Sequence, residues 1–276
     1  MKADLHMHTT DSDGRRSHEE LFALARERGI DIVSITDHDV CTHVERSRAL
    51  AEKHGITYIP GIELSTLEEG KSVHLLGYFR DEAHAAPAMR DYYTFIREGR
   101  ENRARTFIKN LAKYEDIHIT YEDVLEVSDG IIARPHIAKA IMKKYPEYTH
   151  NIIFDRFIGD HNPSFVPATE WSVQKGLELL RKHNVLVVLA HPGLLKKSIH
   201  DKVLNSYAFD GIEADYGMHT EAQKARYRAL ARERGWLITA GSDDHGIPHD
   251  KRHKSLGDAT LQGEDLKRFL EALATK

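Results

Sequence analysis

Ala3-Asp4-Leu5-His6-Met7-His8 reads as a short strand, and its pairing with the helix after it decides the fold. Ser17 to Gly29 reads as that helix, with Ser17 as N-cap, Glu20 closing a capping box and Gly29 as the stop, so the chain opens with one β/α unit. Asp31 to Thr36 is a second β-rich run, a helix spans about His43 to His54 and ends at Gly55, and Thr57 to Leu64 is a third strand. Ser72 to Phe79 supplies a fourth strand, Val185 to Ala190 a fully apolar fifth, Gly211 to Ala214 a sixth and Trp236 to Ala240 a seventh. Helices fit over Val173 to His183, Thr220 to Gly235 and Gly263 to Ala274. Strands alternating with helices imply a parallel α/β sheet.

The rhythm stops in residues 83–172, which read as several helices, the longest from about Ala85 to Lys113. The expected organisation is a barrel formed by residues 1–82 and 173–276, with 83–172 as an inserted helical subdomain. Asp129-Gly130 marks a turn there, Pro135 suits the first turn of a helix, and His161-Asn162-Pro163 with Pro167 marks the way back. With 276 residues, 41% hydrophobic and 30% charged, the chain can bury a full core, so disorder is not expected. A formal charge of -4 argues against a global basic field for nucleic acid. The basic run Arg97, Arg100, Arg103, Arg105, Lys109 and Lys113 reads as a solvated helix face.

No apolar stretch is long enough for a signal peptide or a membrane span, so a cytoplasmic protein is expected, with no membrane association and no obligatory protein partner. A single cysteine, Cys41, excludes an intrachain disulfide and a thiolate-rich zinc site. Metal ligands must then be imidazole and carboxylate. The unusual number is 19 histidines. Residues two apart on a strand share a face, so His6 and His8 can hold one cation. Two surface histidines on a half-buried strand give the same pattern, but this strand ends at His8, and functional residues of α/β barrels gather at the carboxyl ends of strands.

Thr36-Asp37-His38-Asp39, Gly61-Ile62-Glu63, Val73-His74, Ala190-His191-Pro192 and Gly241-Ser242-Asp243-Asp244-His245 sit at that same address. Each has a bland reading: Asp37 or Asp39 as a helix cap, Glu63 as a salt-bridge partner, His191 before a turn, Asp243 accepting from backbone amides. Together they would crowd like charges at the barrel mouth unless cations neutralised them. A multinuclear metal site answers that repulsion.

The ordered set His6-Met7-His8, Ser12-Asp13-Gly14, Thr36-Asp37-His38-Asp39, Glu63, His74, Arg134-Pro135-His136, His191-Pro192 and Ser242-Asp243-Asp244-His245 resembles the polymerase and histidinol phosphatase superfamily over nearly the whole chain. Within it, the insertion carrying Arg134-Pro135-His136 is most similar to the branch of nucleoside 3',5'-bisphosphate phosphatases that also trim short RNA from the 5' end. The resemblance implies a distorted (β/α)7 TIM-like barrel and three divalent metal ions, manganese first, with zinc or iron as alternatives. It places His6, His8, Glu63 and Asp243 around the first metal. Glu63 bridges to a second held by His74 and His191, and Asp13, His38 and His245 hold the third. Asp37 is expected to orient a ligand.

Arg134 suits bidentate contact with a phosphate, and His136 is a candidate acid for the leaving oxygen, which would make the insertion a lid. The bland alternative is a helix start with Arg134 solvated. His249, Arg252, His253 and Lys254 follow the last motif closely enough to meet substrate and read equally as a solvated loop, so they stay outside the catalytic set. The expected substrate is a small phosphorylated nucleotide or a short oligonucleotide. Three rivals remain: a phosphatase for another small monoester such as histidinol phosphate, a barrel amidohydrolase, and a non-catalytic metal-stabilised module. Many such amidohydrolases bridge their metals with a carbamylated lysine, where Glu63 stands here.

Overall fold

The structure is a computed structural model and describes residues 1–128, 132–167, 171–248 and 253–275. The chain begins with β1 (Lys2–Asp4), α1 (His18–Glu27), β2 (Ile32–Ile35), α2 (Val44–His54), β3 (Thr57–Glu68) and β4 (Lys71–Tyr78). It runs on through α3 (Pro87–Tyr114), α4 (Tyr121–Leu125), α5 (Arg134–Lys144) and α6 (His150–Ile153), which continues as a π-helical turn. Then come β5 (Trp171–Ser172), α7 (Val173–Lys182), β6 (Leu186–Leu189), α8 (Lys197–Ser206), β7 (Gly211–Tyr216), α9 (Glu221–Arg234), β8 (Leu237–Gly241), β9 (Leu261–Gln262) and α10 (Gly263–Ala274). Two compact units result: Met1–Arg90 with Trp171–Lys276, and Asp91–Glu170.

In the first unit the strands pair in the order β8-β7-β6-β4-β3-β2-β1-β9, with β5 added to β3. Residues just beyond β1 bond to the far end of that order: Leu5 N donates to Ala240 O at 3.1 Å, His8 N to Asp244 O at 2.9 Å, and Asp243 N to His6 O at 2.8 Å. Seven strands therefore close on themselves as a distorted α/β barrel. Strands buried on both faces read as continuous apolar runs, and every residue of β2 and β6 is buried. Ser17 caps α1 in a reciprocal box with Glu20, which leaves Leu21, Phe22 and Ala25 to face the core.

The sheet is not wholly parallel. β4 runs antiparallel to both β3 and β6. Glu69 and Gly70, at φ 48° and 70°, put two left-handed residues between β3 and β4, the backbone of a two-residue hairpin turn. The reversal has a consequence for the site. His74 lies near the start of β4, opposite Ser65 of β3. An antiparallel strand enters the barrel mouth where its parallel neighbours leave it, so His74 reaches the same end as the others.

The second unit has its own core, in which Phe107, Leu111, Val124, Ile137, Ile141, Ile153 and Phe157 are buried together. Its basic run is only partly the expected solvated face. Arg103 Nε donates to Val166 O at 2.8 Å, and the Arg105 guanidinium lies 3.7 Å from the centre of the Tyr121 ring. The turn expected at Asp129-Gly130 lies outside the described residues.

Candidate metal centre

His6 and His8 stand just past β1, Glu63 lies within β3 and Asp243 just past β8, and all four are buried. His6 Nε2 is 3.1 Å from Glu63 Oε2 and 3.4 Å from Asp243 Oδ1, and His8 Nε2 is 3.1 and 3.0 Å from the same two oxygens. The two Nε2 atoms are 3.3 Å apart. Ligands held about 2.1 Å from one ion stand ~3.0 Å apart at right angles and ~3.4 Å apart in a tetrahedron. These four atoms already have the spacing of a coordination shell.

Glu63 faces two ways. Its Oε1 is 2.8 Å from both His74 Nδ1 and His191 Nε2, while Oε2 meets His6, His8 and, at 3.3 Å, His38 Nδ1. Asp13 Oδ1 lies 3.3 Å from His245 Nε2 and 3.9 Å from His8 Nδ1, and His38 completes that group. The structure thus brings all nine expected residues into one continuous cluster: His6, His8, Asp13, His38, Glu63, His74, His191, Asp243 and His245. The grouping is richer than the resemblance implied, since His8 turns one ring nitrogen to Glu63 and Asp243 and the other to Asp13.

The donor set fits cations. Among the described residues, His8 Nδ1, His38 Nδ1, Glu63 Oε2 and Asp243 Oδ1 are buried with no hydrogen-bond partner. Each such atom costs about 1–3 kcal/mol unless something satisfies it, and here they are concentrated at one place. Burial opposes charge on Glu63, yet His38, His6 and His74 hold its carboxyl well below the usual carboxylate range. Burial likewise favours a neutral His8 ring, but Asp243 and Glu63 raise it to about 10. His38 goes the other way, pushed down to about 4 by burial despite Glu63 and Asp13. Without ions the cluster recruits protons to balance its carboxylates, and cations would replace them.

Several residues position the cluster. Glu213, fully buried in β7, lies with Oε1 2.9 Å from His6 Nδ1 and accepts at Oε2 from His191 N at 2.8 Å. Its mark in the sequence is a carboxylate inside the apolar run Gly211-Ile212-Glu213-Ala214, which the strand-end criterion passes over. Tyr216 Oη donates to Asp243 Oδ2 at 2.9 Å. Asp37 accepts from Thr9 N at 2.7 Å, Thr9 Oγ1 at 2.6 Å and Ser12 Oγ at 2.5 Å, so its contacts hold the loop between His8 and Asp13. Asp39, His191 and Asp243 all have positive φ, 61°, 25° and 57°, and such backbone strain gathers at functional sites. Gly241 is required beside them, because a Cβ there would meet the His6 side chain and lie 2.8 Å from Glu213 Oε1.

In the second unit Arg134 is the first residue of α5, paired with Asp160 and 5.6 Å from the centre of the Phe165 ring. It is therefore partnered rather than simply solvated. His136 is buried, and its Nδ1 accepts from Ala133 N at 3.0 Å, which leaves the ring proton on Nε2. His253, read as part of a loop, stacks on His245 with centroids 4.1 Å apart and places Nε2 3.9 Å from Asp243 Oδ2. A cavity of about 240 Å³ is lined by His245, His253 and Lys254 among others. His249 and Arg252 lie outside the described residues.

The chain is similar to several known proteins. The family model for the PHP domain matches residues 4–163. The 5'-3' exoribonuclease of Haemophilus influenzae is 30% identical over 251 residues, 88% of this chain and 90% of its own. The phosphoribosyl 1,2-cyclic phosphate 1,2-diphosphodiesterase of Eggerthella lenta is 29% identical over 265 residues, 90% of this chain and 97% of its own. The 3',5'-nucleoside bisphosphate phosphatase of Chromobacterium violaceum is 26% identical over 251 residues, 88% of this chain and 86% of its own. A solved structure from Bifidobacterium adolescentis, described as a metal-dependent phosphoesterase, superposes with a TM-score of 0.83 at 25% identity, over 98% of this chain and 96% of its own. The match spans more than half the sequence and takes in His6, His8, Asp13, His38, Glu63 and His74; the chain belongs to the PHP domain family.

Proposed function

We propose that this chain hydrolyses a phosphate ester on a ribose, first the 3'-phosphate of a nucleoside 3',5'-bisphosphate and second the 5' end of a short phosphorylated RNA. The observation that carries this reading is Glu63, whose two oxygens face separate sets of imidazoles inside a closed barrel mouth. A bridging carboxylate of that kind suits adjacent cations. The relatives support the substrate class, since their names give a ribonuclease, a phosphoribosyl cyclic phosphate diesterase and a nucleoside bisphosphate phosphatase. The proposed cofactors are three divalent ions, manganese first, with zinc or iron as alternatives that the same ligands accept. When bound, they supply positive charge for the phosphate oxygens and hydroxide at neutral pH.

The protein's own groups do the rest. Glu213 fixes the His6 ring, and Asp37 fixes the loop that presents Asp13. Arg134, paired with Asp160 in the free protein, is the guanidinium suited to a bidentate contact with substrate phosphate. His136, with Nδ1 accepting from Ala133 N, keeps Nε2–H as a donor that would stabilise the charge developing on the leaving oxygen, the proton itself coming from water. If that role is right, His136→Asn slows the nucleotide substrate far more than an aryl phosphate with a good leaving group. Equal losses on both would remove it.

Phosphate release with Mn²⁺ from adenosine 3',5'-bisphosphate, a short 5'-phosphorylated RNA, a ribose 1,2-cyclic phosphate and histidinol phosphate tests the substrate class. Turnover is expected on the bisphosphate and the RNA. The Eggerthella relative makes the cyclic ester the second reading. Activity on histidinol phosphate alone, or on none of the four, would contradict the proposal.

A further inference from the structure

Away from the cluster, Asp11, His18 and His43 bring three ligand atoms together. Asp11 lies in the loop between His8 and Asp13, His18 is the first residue of α1, and His43 immediately precedes α2. Asp11 Oδ2 is 2.5 Å from His43 Nδ1 and 3.2 Å from His18 Nε2, and the two imidazole centroids stand 5.7 Å apart. His18 is buried, with Nδ1 2.7 Å from Ser47 Oγ, so its ring is oriented with Nε2 toward Asp11. A ligand imidazole is commonly fixed this way, through its other nitrogen. The His43 side chain is 53% exposed, which leaves one side of the group open to water.

We propose that Asp11, His18 and His43 form an exchangeable transition-metal site of the zinc class, separate from the Glu63 cluster. Two imidazoles and one carboxylate with an open position match zinc chemistry, and the set has too few oxygens to favour magnesium or calcium. Donors around an ion with 2.1 Å bonds stand about 3.0 to 3.4 Å apart, so Asp11 and His18, at 3.2 Å, already have that spacing, while Asp11 and His43, at 2.5 Å, must part by about 0.5 to 0.9 Å. The site ties α1 and the start of α2 to the loop that also carries Asp13.

The competing explanation is a plain hydrogen-bonded tie, and His43→Gln separates the two. Glutamine keeps a donor for Asp11 but supplies a far weaker zinc ligand. Metal-stripped wild type, His43→Gln and His43→Ala are each dialysed against Zn²⁺ alone and the bound metal is counted by mass spectrometry, with thermal unfolding in chelator confirming that all three fold. Both variants are expected to hold one equivalent fewer than wild type while keeping the remainder. The same number of equivalents in all three proteins would overturn the site, and would leave the Glu63 cluster untouched.

Discussion

Glu213 shows how a residue can govern a site without bearing a motif. It sits 207 positions from His6 in the chain, and its carboxylate lies 2.9 Å from that ring. Seven of the nine donors were legible because each stands in a short polar motif near the end of an apolar run; His74 lies near the start of its strand, and Asp13 came only with the family resemblance. Glu213 lies inside such a run, where only the tertiary contact distinguishes it from an ordinary strand residue. Glu213→Gln keeps the shape and removes the charge, so Mn²⁺ affinity is expected to fall on the order of 10- to 100-fold, as measured by calorimetry. An unchanged affinity would mean that His6 is held by packing alone. Metal binding should also release protons. His8 is raised to about 10, so at pH 7 the metal-free ring is charged, the entering ion displaces that proton, and affinity weakens as pH falls. Calorimetry at pH 7 in buffers of different ionisation enthalpy reads the release directly, and identical heats in all buffers would exclude it. Cys41 is the opposite case, a buried thiol raised by burial and by nearby Asp37 and Asp11. It is expected to resist alkylation in the native protein at neutral pH and to react on unfolding.

Among the elements, the direction of β4 was the feature local pattern could not supply. Thr57 to Phe79 reads as two β-rich runs, and the alternation around them favours parallel neighbours. The turn at Glu69-Gly70 lacks the Asn-Gly or Asp-Gly signature that would have announced a hairpin. The two-residue strands β5 and β9 are too short to show any period. Capped helices were far more legible: Thr220 and Gly235 bracket α9 as cap and left-handed stop. Gly70→Ala tests the hairpin cleanly, because φ is 70° and nothing lies within 4 Å of the added methyl. A loss of about 1–2 kcal/mol is expected from the left-handed backbone alone, measured by urea unfolding. No loss would show that the turn relaxes without cost.

At the scale of the molecule, the barrel is assembled from both ends of the chain, Met1–Arg90 and Trp171–Lys276, with a second cored unit spliced between. Alternation made the α/β class readable. Closure into a barrel was readable through the family resemblance and not from local pattern, since it depends on Leu5 to His8 bonding to residues more than 230 positions away. If the insertion supplies substrate contacts and the barrel supplies the metals, Arg134→Ala should lower kcat/KM on the order of 10- to 100-fold with metal content unchanged. A loss of metal in that variant would contradict the division of labour. The proposed joint role of Glu63 is the most demanding assignment of all, because one side chain would have to serve two ions. Metal per chain, counted by mass spectrometry in manganese-reconstituted wild type and Glu63→Ala, tests it directly: the variant is expected to lose at least two equivalents together with turnover, and a wild-type metal count in Glu63→Ala would contradict it.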